Sequence, residues 1–371
     1  MRTYDTLRRD ERVTLALRAL YERGGYRRFR MDRFEEYDFY AVNREFLADS
    51  RILSFTDLDG RLLALRPDVT LSIVKQTEAE PDGAQRLYYT ESVFRPARGA
   101  ASYRETFQVG VEYIGRVTPY ASVEMVTLAA RSLACVGGDY ALDVSHTRFL
   151  EGALRCLPED EGLRRAARGC LARKNAHELA AVVGGVLGEE ETERLCRLAR
   201  LSGDFVPTLE QARALSVNEE MHAAVEELDA LYRALRACGQ AEGLSLDVSV
   251  DNNETYYDGL ILRGYIRGVS GAVLSGGRYD PLLRRMGKPG LSGLGFAIYF
   301  DELARYLSEP AREEVDVLLL YDEDADPAAV AREAQACADG GERVWAAPSE
   351  PAGLAYGRVV RVRGEGARTH A

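Results

Sequence analysis

Between Arg86 and Gly115 the chain reads RLYYTESVFRPARGAASYRETFQVGVEYIG, a pattern that leaves little choice but a β-hairpin with two unlike faces. Side chains alternate along a strand, so Phe107, Val109, Val111 and Tyr113 share one side while Thr106, Gln108, Gly110 and Glu112 share the other. The apolar side needs a core beneath it. The other side offers an amide and a carboxylate with a glycine between them, and a glycine there leaves room for a ligand to approach the sheet. A small polar molecule is the expected occupant. The plainer alternative is that Gln108 and Glu112 are solvated residues on an exposed sheet face.

Composition narrows the setting. With 371 residues and 46% hydrophobic content, the chain is long enough for a main domain and one or two smaller ones. Its N-terminal stretch, MRTYDTLRRDERVTLALRALYERGGY, carries charges every few residues and no apolar h-region, and no later run is long and apolar enough to span a bilayer. The expectation is a soluble cytoplasmic protein without a membrane partner. Cys135, Cys156, Cys170, Cys196, Cys238 and Cys337 are scattered, without a CxxC pair or histidines at ligand spacing, and read as reduced core thiols rather than metal ligands. A net charge of −11 opposes a broad electrostatic grip on nucleic acid, so a tRNA partner is not expected.

The periodicity predicts a helix over Asp10 to Gly24, stopped at Gly24-Gly25, then short strands at Ile52 to Thr56 and Leu62 to Leu65 around the turn Asp57-Leu58-Asp59-Gly60. Pro67 should break the strand, with helical character over Val69 to Lys75. The long hairpin follows, then a helix containing Val123, Met125, Val126, Leu128 and Ala129, and a strand at Tyr140 to Val144. From about 146 to 240 the pattern is a helical insertion of several short helices, punctuated at Gly184-Gly185 and Pro207. Leu244 to Val250 and Tyr256 to Arg263 read as strands joined by a turn at Asn252-Asn253. Ala272 to Ser275 runs into Gly276-Gly277, which permit close backbone approach, and Leu294 to Leu307 passes from apolar strand to helix. Past a linker near Ser308 to Arg312 comes a small β-α-β tail, with strands at Val315 to Leu320 and Arg358 to Val362 and a helix near Pro327 to Cys337. The sum is an α+β architecture of antiparallel strands with helices on one face. The domain reading is 1–312 as a main domain holding the insertion and 313–371 as the tail.

Four ordered segments carry a resemblance. LRPDVT, YYTESVFRPAR with YRETFQVGVEYIG, TYYDGLILRGY, and SGGRYDPLLRRMG with GLGFAIYFDEL resemble the class II signature segments of histidyl-tRNA synthetases, over about residues 10 to 307. That family implies a class II aminoacyl-tRNA synthetase-like fold and a histidine pocket at the matching positions: Asp68, Val69 and Thr70, Arg95, Gln108 and Glu112, and Tyr256 with Tyr257. The chemistry of these residues suits the role. An amino acid needs carboxylate and amide acceptors for its ammonium, an arginine for its carboxylate, and an aromatic wall with a hydrogen-bonding partner for an imidazole.

The sequence departs from the synthetase pattern where ATP would be handled. Ala97 stands where the family has a glutamate that helps read adenine. Tyr299 and Glu302 stand where the glycine and arginine of the third signature are expected, and a carboxylate there would repel a triphosphate. Asn252 replaces the arginine expected to assist adenylate formation, and Glu91 occupies a usual glycine. The tail resembles only the beginning of an anticodon-binding domain, a truncated remnant. A kept amino-acid pocket beside a dismantled ATP site resembles the regulatory subunits of ATP phosphoribosyltransferase, the synthetase-like paralogues of bacterial histidine biosynthesis. That resemblance implies a non-catalytic chain with no catalytic residues and no cofactor. It would activate the short-form ATP phosphoribosyltransferase catalytic subunit and take part in feedback inhibition by L-histidine. It would pair as a homodimer through about Tyr26 to Phe55 within a larger hetero-oligomer. The alternatives are a divergent histidine–tRNA ligase and a synthetase-like module with another amino-acid ligand or partner.

Individual residues also have plainer readings. Arg95 could pair with Glu91, Asp68 could be only a helix N-cap, and alternation would send Tyr256 and Tyr257 to opposite faces. With Asn252 in place of arginine, Arg263 or Arg278 could assist Arg95 at a ligand carboxylate. His146 reads as structural or helix-capping, and His177 and His222 as helix-surface residues.

Overall fold

The computed structural model describes residues 7–47, 49, 51–78, 83–97, 102–249, 256–308 and 314–364. Asn252 and the turn expected at 252–253, like most of the linker near 308–312, lie outside the described residues. Helix α1 (Arg9–Arg23) ends as expected, with Gly25 at a φ of 79°. Strands β1 (Arg27–Arg28) and β2 (Phe34–Glu36) lead to α2 (Tyr37–Val42), and β3 (Ser54–Thr56) with β4 (Leu62–Leu65) forms the anticipated hairpin. After Pro67 comes α3 (Thr70–Gln76), then the long hairpin of β5 (Gln85–Pro96) and β6 (Tyr103–Gly115), paired along its length. The side-chain oxygen of Thr118 accepts from the Ala121 N–H and so starts α4 (Pro119–Val136), where Pro119 gives up a donor the helix would leave unpaired anyway.

Strand β7 (Tyr140–His146) enters the helical insertion: α5 (Thr147–Leu154), α6 (Glu161–Ala172), α7 (Ala176–Val183), α8 (Glu189–Leu198), the short strand β8 (Ser202–Asp204), α9 (Phe205–Leu215) and α10 (Glu219–Ala237). Pro207 does not punctuate the insertion. It sits in the first turn of α9, where a missing N–H costs no helical bond. Strands β9 (Leu244–Asp247), β10 (Leu260–Ile266) and β11 (Leu274–Arg278), helix α11 (Asp280–Arg285), strand β12 (Ser292–Tyr299) and helix α12 (Phe300–Leu307) complete this part.

The main sheet runs β1-β5-β6-β12-β11-β10-β7-β9-β8. Its centre is antiparallel, with parallel pairs at β1/β5 and β7/β9. The anticipated β9–β10 hairpin does not form, because β7 lies between those strands. Helices cover both faces rather than one. On one face the ring of Tyr21 from α1 meets Tyr88 and Phe296, and its hydroxyl bonds Ser132 of α4 at 3.0 Å. On the other, Leu71, Ile73 and Val74 of α3 and Leu282 and Leu283 of α11 pack with Tyr89, Val93 and Ile114. That second face holds the polar side of the long hairpin. Strands β2, β4 and β3 form a separate antiparallel sheet.

The chain divides into two compact units, Val13–Tyr306 and Leu307–Ala371 with Met1–Arg12. The second holds β13 (Val315–Tyr321), α13 (Pro327–Asp339), β14 (Val344–Ala347) and β15 (Tyr356–Val362), a parallel sheet in the order β14-β13-β15. The sequence reading missed β14. The cysteines are free, but Cys156 and Cys238 are exposed rather than in the core. Among the described residues no helix is long and apolar enough to cross a membrane.

Candidate ligand-binding site

The polar side of the hairpin is not exposed. Thr106, Gln108 and Glu112 are all buried, and Gln108 and Glu112 line a cavity of about 180 Å3 together with Asp68, Val69, Thr70, Arg95, Tyr256 and Tyr257. Every residue expected in the pocket is therefore brought to one place. Drug-sized ligands occupy roughly 300–1,000 Å3, so the space suits a molecule of amino-acid size.

Glu112 is the anchor of the floor. Its carboxyl accepts from the Thr70 hydroxyl at 2.7 Å and from the Tyr279 hydroxyl at 2.7 Å. Burial pushes its pKa up from 4.5 to about 8, opposed by the two hydroxyl donors and assisted by the nearby Asp68. Directly opposite on β12, Gly295 is required: a Cβ there would lie 1.9 Å from a Glu112 carboxyl oxygen.

Gly110, by contrast, does not open the sheet to a ligand as expected. A Cβ on it would meet the Tyr89 ring at 2.5 Å, so the phenol of its cross-strand neighbour already fills the space. Gly277 similarly lies under the Tyr257 ring, while Gly276 lines the cavity against β12.

Asp68 combines two roles. One carboxylate oxygen accepts from the Leu71 N–H at 2.9 Å at the start of α3, and the other faces Arg95 at 3.4 Å. Burial raises its pKa and the Arg95 guanidinium opposes the rise. Arg95 also donates to the Pro67 carbonyl at 2.8 Å. It does not pair with Glu91, which is bound at 2.5 Å by the fully buried Arg66.

Tyr256 and Tyr257 both line the cavity, contrary to the alternation argument. They precede β10 in irregular backbone, where strand alternation does not apply, and their rings meet edge-on at 4.7 Å between centroids. Arg263 and Arg278 are not among the lining residues; Arg278 is held by Asp280 and Ser292. The Nε2 of Gln108 is a buried donor with no partner among the described residues, an arrangement that a ligand acceptor would satisfy.

Phe46, Tyr89, Tyr279 and Ala297 also line the cavity and were not anticipated. Tyr89 had a signal: an aromatic residue at the cross-strand position of a glycine. Tyr299 faces the cavity near Arg95, whereas Ala97 and Glu302 lie outside it. His146 sits at the N-cap of α5 without capping it and contacts Glu227 through Nε2 at 3.2 Å; His177 and His222 are on exposed helix surfaces.

A largely antiparallel nine-stranded sheet whose long hairpin lines an amino-acid-sized cavity is the arrangement of a class II synthetase-like fold. The chain belongs to the histidyl-tRNA synthetase family, whose pattern it matches over residues 4–303. Among curated relatives, the ATP phosphoribosyltransferase regulatory subunit of Bacillus cereus (strain G9842) is 26% identical over 322 residues, 84% of this chain and 76% of that protein. A solved structure described as an ATP phosphoribosyltransferase regulatory subunit/histidyl-tRNA synthetase from Bacillus halodurans shares the fold. It superposes with a TM-score of 0.79 at 24% identity, covering 96% of this chain and 94% of that one. A chain of the ATP phosphoribosyl transferase (HisG:HisZ) complex from Thermotoga maritima has a TM-score of 0.60 at 18% identity, covering 77% and 96%.

Proposed function

We propose that this chain is a non-catalytic regulatory subunit of ATP phosphoribosyltransferase, binding L-histidine in the cavity and acting on a short-form catalytic subunit at the first step of histidine biosynthesis. The observation that carries the reading is the asymmetry of the site. Its amino-acid half is assembled, with Glu112 braced by two hydroxyls and Gln108 offering an unpartnered donor. At the nucleotide positions Ala97 and Glu302 stand outside the cavity, and Tyr299 reaches into the side where Arg95 lies. A glutamate does not take over an arginine's hold on a triphosphate. The names of the curated relatives support the same role.

In this reading the chain works in the cytoplasm, without tRNA, as a homodimer within a larger hetero-oligomer. The test is a phosphoribosyltransferase assay of the cognate catalytic subunit with and without this chain, titrated with histidine. Activation by the chain and loss of the activated rate on adding histidine are expected. Failure to activate at any ratio overturns the proposal, and histidine-dependent ATP–pyrophosphate exchange by the chain alone would return it to the ligases.

A further inference from the structure

The charges around the cavity do not balance. Glu112 is 2% exposed, and the groups on its carboxyl are two neutral hydroxyls, Thr70 from α3 and Tyr279 from the start of α11. The other titratable groups facing it are Asp68 ahead of α3, Tyr89 and Arg95 on β5, Tyr256 and Tyr257 before β10, and Tyr299 on β12. Arg95 is the cation of the lining, and it is engaged by the Pro67 carbonyl and by Asp68. Among the described residues, the buried Glu112 and the partly exposed Asp68 thus share one guanidinium, and it sits on Asp68. An ionised carboxylate held out of water without a positive partner is costly, and a second carboxylate nearby raises the cost. Without a cation beside it, a carboxyl so placed favours its protonated form, the direction in which burial moves Glu112.

We propose that amino-acid capture in this cavity is proton-linked: the ligand brings its α-ammonium, the group of histidine that is charged at neutral pH, onto Glu112, and the Glu112 proton leaves to solvent as it arrives. This rests on the amino-acid-binding reading above. The balance is simple, since the carboxyl O–H bond breaks, its proton passes to the buffer, and an N–H···O ion pair replaces it. Thr70 and Tyr279 already donate to both oxygens, so the ionised carboxylate keeps its two hydrogen bonds when the cation docks. Below a pH of about 8 the ligand must displace the proton; the penalty shrinks as pH rises and vanishes above that value. The ionised fraction of the ligand-free form increases severalfold between pH 7 and 8, and the affinity should follow. Feedback through such a site weakens as the medium acidifies.

Isothermal titration calorimetry with L-histidine tests this, using the full chain and its complex with the catalytic subunit. Buffers of unlike ionisation enthalpy at about pH 7 and about pH 8 report the protons exchanged. The expected result is a net proton release that is larger at the lower pH than at the higher, with affinity rising severalfold between them. Glu112→Gln should abolish the release. Histidine binding with no proton exchange and equal affinity at both pH values overturns the proton linkage and leaves the amino-acid reading standing, as does a release that persists in Glu112→Gln. The wild-type measurement decides the matter even if that variant does not fold. Absence of any histidine response from chain or complex overturns the amino-acid reading, and the proton linkage with it.

Discussion

Gln108 carries a cost in the ligand-free form. Its Nε2 is buried and lacks a partner among the described residues, and an unmatched buried donor costs about 1–3 kcal/mol. Leucine has a similar volume and no polar atoms, so Gln108→Leu should stabilise the ligand-free chain by about 1 kcal/mol or more. In the proposed role the same change would remove a hydrogen bond that a bound ligand would complete. Thermal melts with and without histidine check both halves: the variant should melt higher than wild type alone and lose most of the ligand-induced rise. A variant that melts lower without ligand would show that Gln108 holds the fold together instead. Gly295 presents the opposite constraint, because any side chain there collides with Glu112. The glycine is fitted to a buried carboxylate across the strand rather than to a turn.

At the scale of elements, the site depends on two short helices held together at their far ends. Lys288, just past α11, donates through Nζ to the carbonyls of Val74 at 2.7 Å and of Thr77, closing the C-terminus of α3. The opposite ends of these helices present Thr70 and Tyr279 to Glu112. Lys288→Met should therefore destabilise the chain by about 1.5–3 kcal/mol, the range for hydrogen bonds to charged groups. It should also weaken histidine binding several-fold, although Lys288 is not part of the lining; urea unfolding and calorimetry would measure the two effects. Unchanged affinity would mean that Thr70 and Tyr279 are positioned without this clamp. Much of this frame was legible in sequence. The long hairpin declared itself because period-two alternation persisted along β6, and that alternation set Gln108 and Glu112 on one face. What stayed hidden depended on partners distant in the chain. Tyr89 could be read only once the hairpin register set it opposite Gly110, and nothing in SGGRYDP says that Tyr279 will reach β6. Strand β9 misled because a short strand carries no record of its neighbour, and Tyr256-Tyr257 misled because alternation was applied to backbone that is not a strand.

At the scale of the whole molecule, apolar exposure is unevenly distributed. Phe34, Val42, Phe55, Leu58 and Leu62 are all exposed and all belong to the small sheet, its turn and the adjoining α2. Scattered surface hydrophobics need no explanation, but a concentration in one small region makes a candidate interaction surface. Phe34 and Phe55 lie on the same face of the β2-β4-β3 sheet, their rings edge-on with centroids 5.8 Å apart. The segment overlaps the region, about Tyr26 to Phe55, through which the family resemblance implies pairing of two copies. A symmetric dimer would use one such patch on each copy, self-complementary across a two-fold axis. Sedimentation of the purified chain should accordingly give twice the chain mass of 41.1 kDa at micromolar concentration. The double variant Phe34→Glu with Phe55→Glu should sediment at 41.1 kDa, because two carboxylates would have to be buried unpaired on each side. Neither phenylalanine lines the cavity, so the monomeric variant should still bind histidine and give a native circular dichroism spectrum. A wild-type chain that remains monomeric at every concentration, or a double variant that remains dimeric, would assign these side chains to some other contact.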